Sequence, residues 1–345
     1  MSLNKRLIST GVTPIVASEH FQIVTWSGNL TAGRSITGVG FQPDVVLVKS
    51  TNTPGNWALK MSKDFPSTEW QEWDQAKIEN RTSNNHIRSL DSDGFTVGND
   101  NEVNGSYDYI AYCWKLNGNS ANPDVNPITK MSQRSYTGNG SIRSLSHGMG
   151  TSDVTFCIIS TGLSSGTGQT QYKAGLHTDQ PATQYTHWAL ADEPKTNAGP
   201  WNNTAPTSTT FKVRSTYVNY SGQDYVFWGM TNIDGFSKFG SYTGNGSTSG
   251  PTITTDFQPG FIWIRRSELG DSNRHIYVYD IVNSGGTGTT NDYMKLTDNN
   301  GVYTGTSSAY NINITTTGFQ LKNTLADLNE SGKKYFYWVW ADPTI

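Results

Sequence analysis

The hydrophobic positions of this chain fall into short runs that are separated by turns rich in Gly, Asn, Asp and Pro. Residues 45–48 are continuously apolar, which is typical of a strand buried on both faces. Residues 21–26 alternate loosely between apolar and polar, which predicts a further strand. Helical periodicity is almost absent. The pattern therefore predicts an all-β protein that folds into β-sandwiches of jelly-roll or lectin-like type.

Two motifs recur along the chain. Residues 135–140 and 241–246 are both Ser-Tyr-Thr-Gly-Asn-Gly, and residues 25–30 are a weaker copy, Thr-Trp-Ser-Gly-Asn-Leu. The motif Phe-Gln-Pro begins at Phe41 and again at Phe257. Both motifs agree on a period of roughly a hundred residues, which is the size of a small domain. We expect the Gly-Asn-Gly copies to be tight hairpin turns that need positive φ.

The period predicts three tandem sandwich repeats, at residues 18–118, 130–231 and 235–345. We expect their first strands to contain Trp26, Tyr136 and Tyr242, and their last strands Trp114, Trp228 and Trp338. Residues 1–17 lack periodicity and contain helix breakers. They predict a short N-terminal arm that contacts another chain or an anchoring protein rather than its own domain.

The closing strand of the third repeat, residues 335–340, is apolar on both faces. A strand of this kind is covered on both faces, and only one of them can belong to the core of its own sandwich. The second face must meet a neighbouring repeat, a subunit or a scaffold. It is the main sequence evidence for a packed assembly, and a homo-oligomer is one form of it.

The charge, the N-terminal residues and the cysteine content argue against several classes of function. The net charge of −3 gives no electrostatic reason for binding nucleic acid or an anionic membrane. Polar and turn residues interrupt the apolar run near the N-terminus, so we expect no signal peptide there, and no stretch of the sequence is long enough to predict a membrane span. Cys113 and Cys157 fall in strand-like runs, which favours buried small hydrophobes over a disulfide or a metal pair.

The titratable residues give no catalytic pattern. Asp91 and Asp93, with Asp100 and Glu102 downstream, resemble the start of a calcium loop, but its full spacing is missing. Turn-forming Asp side chains before a strand explain the same residues, and both interpretations stay open. The histidines are scattered, and no nucleophile motif occurs. We therefore predict a protein that is not an enzyme and has no catalytic residue and no cofactor, and no residue is assigned as a metal ligand.

Several tryptophans lie outside the predicted closing strands. Trp57, Trp70 and Trp201 are candidates for stacking on a sugar, with Asn and Asp side chains bonding its hydroxyls. The alternative is that these rings cover the core or fill a subunit interface.

Several of these motifs together carry a family resemblance. They are Tyr-Thr-Gly-Asn-Gly, residues 38–49 with Phe-Gln-Pro-Asp, residues 91–98 with Asp-Ser-Asp-Gly-Phe, and an aromatic closing strand. The combination resembles a β-sandwich repeat of virion proteins from tailed bacteriophages, notably marine and cyanobacterial phages. The third repeat keeps part of the signature, and the second has lost most of it. The resemblance implies a lectin-like sandwich. It assigns no functional residue to this chain, because the family pattern has no established active site.

The resemblance implies a phage virion structural protein of tail-fibre or appendage type. Such a protein is made in the host cytoplasm, is anchored to other virion proteins through its arm, and can contact a glycan of the host surface. One alternative is a capsid decoration or head-fibre protein. Another is a carbohydrate-binding module for host attachment. A polysaccharide depolymerase is disfavoured, because tailspike enzymes usually carry long β-helix repeats and no such short period is visible.

Overall fold

The structure is a computed structural model that describes residues 14–62, 71–73, 85–116, 124–160, 173–191, 194–196, 199–214, 218–268, 275–304 and 307–345. Its regular structure is almost entirely antiparallel strands, so the all-β prediction is confirmed. The described helices are short: one α-helix, α1 (Ala326–Asn329), and two 3₁₀ turns, Ala17–Glu19 and Ser308–Tyr310.

The first segment of the chain forms two sheets. Its strands are β1 (Phe21–Ser27), β2 (Arg34–Thr37), β3 (Val45–Ser50), β4 (Ala58–Met61), β5 (Gln71–Glu72), β6 (Ile87–Asp91), β7 (Gly94–Val97) and β8 (Asp108–Trp114). The inner sheet has the order β1-β8-β3-β4-β5, and the outer sheet has the order β2-β7-β6.

The second segment repeats the division into an inner and an outer sheet. Its strands are β9 (Asp124–Val125), β10 (Ser132–Thr137), β11 (Arg143–Ser146), β12 (Thr155–Ser160), β13 (Ala174–Leu176), β14 (Gln184–His187), β15 (Lys195–Thr196), β16 (Thr210–Val213) and β17 (Asp224–Met230). The inner sheet has the order β15-β14-β13-β12-β17-β10-β9, and the outer sheet is the pair β11-β16.

The third segment has the same two layers. Its strands are β18 (Ser237–Thr243), β19 (Thr252–Thr254), β20 (Pro259–Arg266), β21 (Tyr277–Asp280), β22 (Gly288–Thr290), β23 (Met294–Lys295), β24 (Ile312–Thr315), β25 (Gly318–Leu321) and β26 (Lys334–Ala341). The inner sheet has the order β18-β26-β20-β21-β23, and the outer sheet has the order β19-β25-β24-β22.

The three inner sheets share one pairing scheme. In each, the first strand pairs with the closing strand, which then pairs with the long buried strand: β1-β8-β3, β10-β17-β12 and β18-β26-β20. The six aromatic residues expected on first and closing strands all lie there. That the segments are three homologous sandwich repeats stays a prediction, which this common scheme supports.

Strand β3 shows how one sheet serves two cores. Val46 and Val48 face the outer sheet and pack in the sandwich core of the first segment. Val45 and Leu47 point the opposite way, into a large apolar cluster that contains residues of all three segments. This alternation gives each inner sheet two buried faces, as its continuously apolar sequence requires.

The shared cluster is dominated by aromatic rings from the inner sheets, and we call it the central core. Trp114 lies 5.3 Å from Trp228 and 5.6 Å from Trp340, measured between ring centroids. Phe21 stacks on Phe261 at 5.9 Å. The second apolar face of each closing strand is therefore covered by neighbouring segments of the same chain.

Buried polar contacts cross the same interfaces. The Tyr112 hydroxyl donates to Asp280 Oδ2 at 2.8 Å, which links the first and third segments. Trp73 Nε1 donates to the Trp188 carbonyl at 3.2 Å, which links the first and second segments. These polar groups become buried only when the segments pack together, and a buried polar group needs a hydrogen-bond partner. Each bond therefore makes the packing of one segment depend on the packing of another.

Part of the predicted arm belongs to the folded unit. Ile15 and Ala17 pack against the central core, next to the 3₁₀ turn at Ala17–Glu19. The prediction that the arm avoids its own domain is therefore wrong for Ile15 and Ala17, whose apolar side chains pack there, whereas Val16 is 49% exposed. Residues 1–13 lie outside the described residues.

The Gly-Asn turns are not hairpins. Each joins the first strand of an inner sheet to a strand of the outer sheet, so the hairpin prediction is wrong. Positive φ occurs at the residue that follows Gly-Asn in each turn: Leu30 (58°), Gly140 (73°) and Gly246 (66°). The first glycine is needed for space instead: a Cβ on Gly138 would lie 1.9 Å from the Tyr220 carbonyl oxygen.

A buried asparagine from late in each segment holds the turn. The Asn219 side chain accepts from the Asn139 N–H at 3.2 Å and donates to the Ser141 carbonyl at 2.5 Å. Asn104 and Asn329 hold the other two turns in the same way. We call this arrangement the asparagine clamp. It fixes the corner between the inner and outer sheets.

The residues on either side of each clamp asparagine are bound alike in the three segments. The preceding carbonyl accepts from the aromatic side chain of the first strand, as in Tyr136 to Val218 at 2.6 Å. The following N–H donates to a tyrosine hydroxyl of the closing strand, as in Tyr220 to Tyr225 at 3.1 Å. These matching bonds are the most detailed support for the repeat interpretation.

Candidate functional site

A buried histidine meets two carboxylates at the end of the outer sheet of the first segment. His86 comes directly before β6, and Asp100 and Glu102 follow β7, its hairpin partner. His86 Nε2 lies 3.2 Å from Asp100 Oδ1 and 3.5 Å from Glu102 Oε2. The exposed fractions of the side chains are 1% for His86, 35% for Asp100 and 18% for Glu102. The imidazole is thus buried, whereas both carboxylates are partly exposed.

Backbone and amide hydrogen bonds fix this cluster. The Gly98 N–H donates to the His86 carbonyl at 2.7 Å, which continues the pairing of β6 and β7. The Glu102 N–H donates to Asp100 Oδ1 at 2.9 Å, which holds the Asp100 carboxylate against the loop. Asn56 Nδ2 donates to Glu102 Oε1 at 2.9 Å from the inner sheet side.

The donor set can act in two ways. A protonated imidazole would form ion pairs with the carboxylates, and a neutral imidazole could bind a metal ion together with them. Among the described residues, this is the one group of three His, Cys, Asp or Glu side chains whose ligand atoms lie within 4.8 Å of one another. The cluster is therefore the candidate functional site.

Among the residues that the structure describes, the other two segments contain no equivalent of this cluster. The hydrogen bond from the Gly98 N–H to the His86 carbonyl has a counterpart in each of the other segments. The Arg214 N–H donates to the Pro200 carbonyl and the Lys322 N–H donates to the Asn311 carbonyl, both at 2.9 Å. The position of His86 is thus taken by proline and by asparagine. Because all three segments form the same corner, the fold itself does not require an imidazole at this position.

The structure separates the residues that the sequence grouped as the start of a calcium loop. Asp91 Oδ2 accepts from the Thr96 hydroxyl at 2.7 Å, and the Asp93 carboxylate accepts from the N–H groups of Gly38 and Gly40 at 3.2 and 2.6 Å. These contacts agree with the turn interpretation. Asp100 lies apart from them, beside a histidine that the sequence analysis did not connect to it.

Two of the three tryptophans proposed for sugar stacking, Trp57 and Trp201, are not exposed. Trp57 is 0% and Trp201 1% exposed. Trp57 Nε1 donates to the Lys295 carbonyl at 2.9 Å, and the Trp201 ring packs edge-on against Phe156 at 4.7 Å. The expectation of accessible ring faces is wrong for both residues, because each fills a gap in a core. Trp70 lies outside the described residues.

Both cysteines are free thiols inside strands. Cys113 and Cys157 are completely buried, and burial raises the pKa of each thiol well above its ordinary value. A thiol with a raised pKa is a poor nucleophile and a poor metal ligand. The prediction that the cysteines act as small buried hydrophobes is confirmed.

His177 is a buried histidine at the interface of the second and third segments. Its Nε2 lies 3.2 Å from the Tyr337 carbonyl, and its Nδ1 accepts from the Asp179 N–H at 3.1 Å. The ring stacks on Phe336 at 4.5 Å. Burial lowers its pKa to about 4, because a charged imidazolium here would lose both hydration and the bond at Nδ1.

This histidine predicts a loss of stability in mild acid. The unfolded chain takes up the proton near pH 6.5 and the folded chain only near pH 4. Stability is therefore complete above pH 6.5 and falls as pH drops from 6.5 to 4, by up to about 3 kcal/mol from this group. Urea denaturation at pH 7.5 and pH 5 measures the change.

The matched variant is His177→Gln, which keeps an N–H for the Tyr337 carbonyl and does not titrate. Burial also lowers the pKa of His20, His147 and His275, so the wild type and the variant share that background. We expect the variant to lose less stability than the wild type between pH 7.5 and pH 5. An equal loss in both proteins would contradict the role of His177.

No helix in the described part of the chain has the length and apolar character to cross a bilayer. The fold and the site define an all-β protein of layered sheets around a shared aromatic core, with one histidine–carboxylate cluster among its described residues. The sequence matches the model of a family described as a domain of unknown function, DUF7483, over residues 16–343. The chain therefore belongs to this family, and one family model spans all three segments. No curated protein matches the sequence.

Proposed function

We propose that the chain is a structural protein of a tailed-phage virion, of tail-fibre or appendage type, without enzymatic activity. The sequence resemblance to virion sandwich repeats supports the assignment of the chain to a phage particle. The observation that carries the role is the central core, where Trp114, Trp228 and Trp340 from three segments pack together. A core of this kind makes the three segments move as one body, which suits a part that must keep its shape on a particle.

The outward surface supports contact with other molecules rather than chemistry in a pocket. The outer strands alternate buried and exposed residues: Ile36 of β2 and Ile253 of β19 point inward, while their neighbours Ser35, Thr37 and Thr252 are exposed. Hydroxyl groups in such rows can bond to other virion proteins or to a glycan of the host surface. The protein would thus present three outer sheets from one rigid centre.

Locating the chain on purified particles tests this proposal. Virions of the encoding phage are purified by density gradient, analysed by mass spectrometry and labelled with an antibody against this chain for electron microscopy. We expect the chain to co-purify with the particle and the label to lie on the tail or on an appendage.

The major capsid protein serves as the positive control and a host ribosomal protein as the control for contamination. Label over the capsid would favour the decoration or head-fibre alternative. A chain that does not exceed the contamination control would overturn the virion proposal.

A further inference from the structure

We propose that His86, Asp100 and Glu102 bind a divalent transition-metal ion, with zinc as the preferred ion. Neighbouring ligands of a tetrahedral zinc ion, each about 2.0–2.2 Å from the metal, are separated by about 3.4 Å. The distances from His86 Nε2 to the two carboxylate oxygens, 3.2 and 3.5 Å, match this separation. One imidazole nitrogen faces both oxygens at once, which is the arrangement that a shared cation requires.

The surroundings of the cluster fit a metal site. Asn56 holds the second oxygen of Glu102 at 2.9 Å, which orients the carboxylate in the way that outer partners of metal ligands do. His86 is buried and is held by the hydrogen bond from the Gly98 N–H to its carbonyl, whereas Asp100 is 35% exposed. A solvent molecule can therefore reach the cluster and complete a fourth ligand position.

The ligand chemistry selects the class of ion. Calcium and magnesium prefer oxygen ligands, and calcium takes six to eight of them in typical sites. An imidazole with two carboxylates suits zinc or a similar first-row ion instead. The inferred site is therefore not the calcium loop that the residues around Asp91 and Asp93 resemble in sequence.

Comparison within the chain supports a binding role over a purely structural one. Pro200 and Asn311 replace His86 at the positions that make the same backbone hydrogen bond. These two segments form their corners without an imidazole between two carboxylates. The cluster is an addition to the first segment, and the third segment offers the natural substitution for testing it, His86→Asn.

The test measures zinc binding to the full chain at pH 7.5 by competition with a chromophoric chelator, followed by isothermal titration. We expect one zinc ion per chain and at most weak binding of calcium or magnesium. His86→Asn and Glu102→Gln should each weaken zinc binding by at least about 100-fold, because they remove or neutralise a direct ligand. Asn56→Ala should weaken it by about tenfold as an outer partner.

The control is His275→Asn, which removes a histidine bonded to Thr297 in the third segment and should leave zinc affinity unchanged. Circular dichroism in metal-free buffer checks that each variant is folded. Glu102→Gln keeps an acceptor for Asn56, so it tests the site even if His86→Asn is unstable. Equal zinc affinity in the wild type and both ligand variants, or no binding at all, would overturn the proposal and leave an ion-paired histidine.

Discussion

Replacing Trp114 by alanine is expected to lower the free energy of unfolding by about 3–5 kcal/mol, as measured by urea denaturation. The ring is completely buried and lies where the three segments meet, within 5.6 Å of Trp228 and Trp340. Its removal leaves a cavity that no single segment can close alone. Hydrogen exchange should therefore show faster exchange in the inner sheets of all three segments.

Trp201→Ala is the matched control for this prediction. Trp201 is equally buried, but it packs within the sandwich core of the second segment. We expect a similar loss of stability, with faster exchange concentrated in the second segment. If Trp114→Ala loosened the first segment alone, the aromatic contacts between segments would contribute little to holding them together.

Replacing Asn219 by alanine is expected to cost about 2–4 kcal/mol of stability. The substitution removes the donor to the Ser141 carbonyl and the acceptor for the Asn139 N–H. Asn219 is completely buried and both hydrogen bonds are partly buried, and groups that lose a partner in such a place are costly. Chemical denaturation of the purified variant gives the value.

Asn300→Ala provides the surface control, since Asn300 is exposed and its amide loses only an exposed hydrogen bond to the Tyr303 hydroxyl; we expect stability to change by less than about 1 kcal/mol. Asn329→Ala should behave like Asn219→Ala, because the third segment contains the same clamp. A cost at Asn219 as small as that at Asn300 would show that the clamp is not a significant source of stability.

The strands were predictable because their signal is local. The apolar run at residues 45–48 and the aromatic closing strands predicted their own burial on both faces. The sequence could not predict which surface covers these strands, because an apolar face can pack equally well on a neighbouring repeat, a subunit or a scaffold. The structure resolves that choice for the closing strands: neighbouring segments cover them, as Trp114 on Trp228 shows.

The asparagine clamps were missed because their partners are far apart in the chain. Asn139 and Asn219 are 80 residues apart, and no local period connects them. Each asparagine was visible as a turn former, but its buried partner could only be recognised once the first and closing strands were paired. The recurrence of Val-Asn and Leu-Asn shortly before each closing strand was the available signal.

The sequence identified only part of the candidate site. Asp100 and Glu102 were noticed as carboxylates, but they were grouped with Asp91 and Asp93, which are nearer in the chain. His86 joins them because the β6–β7 hairpin brings its two outer ends together. The tryptophan hypothesis failed for Trp57 and Trp201 for a related reason, since a position outside a strand does not tell which way a large ring points.

The central claim is that three sandwich segments form one body around a shared aromatic core. Differential scanning calorimetry of the full chain in dilute buffer at pH 7.5 tests it most directly. We predict a single transition whose calorimetric enthalpy equals its van't Hoff enthalpy, because no segment can keep its inner face buried after the others unfold. Two or three separable transitions, each with the enthalpy of one segment, would contradict it.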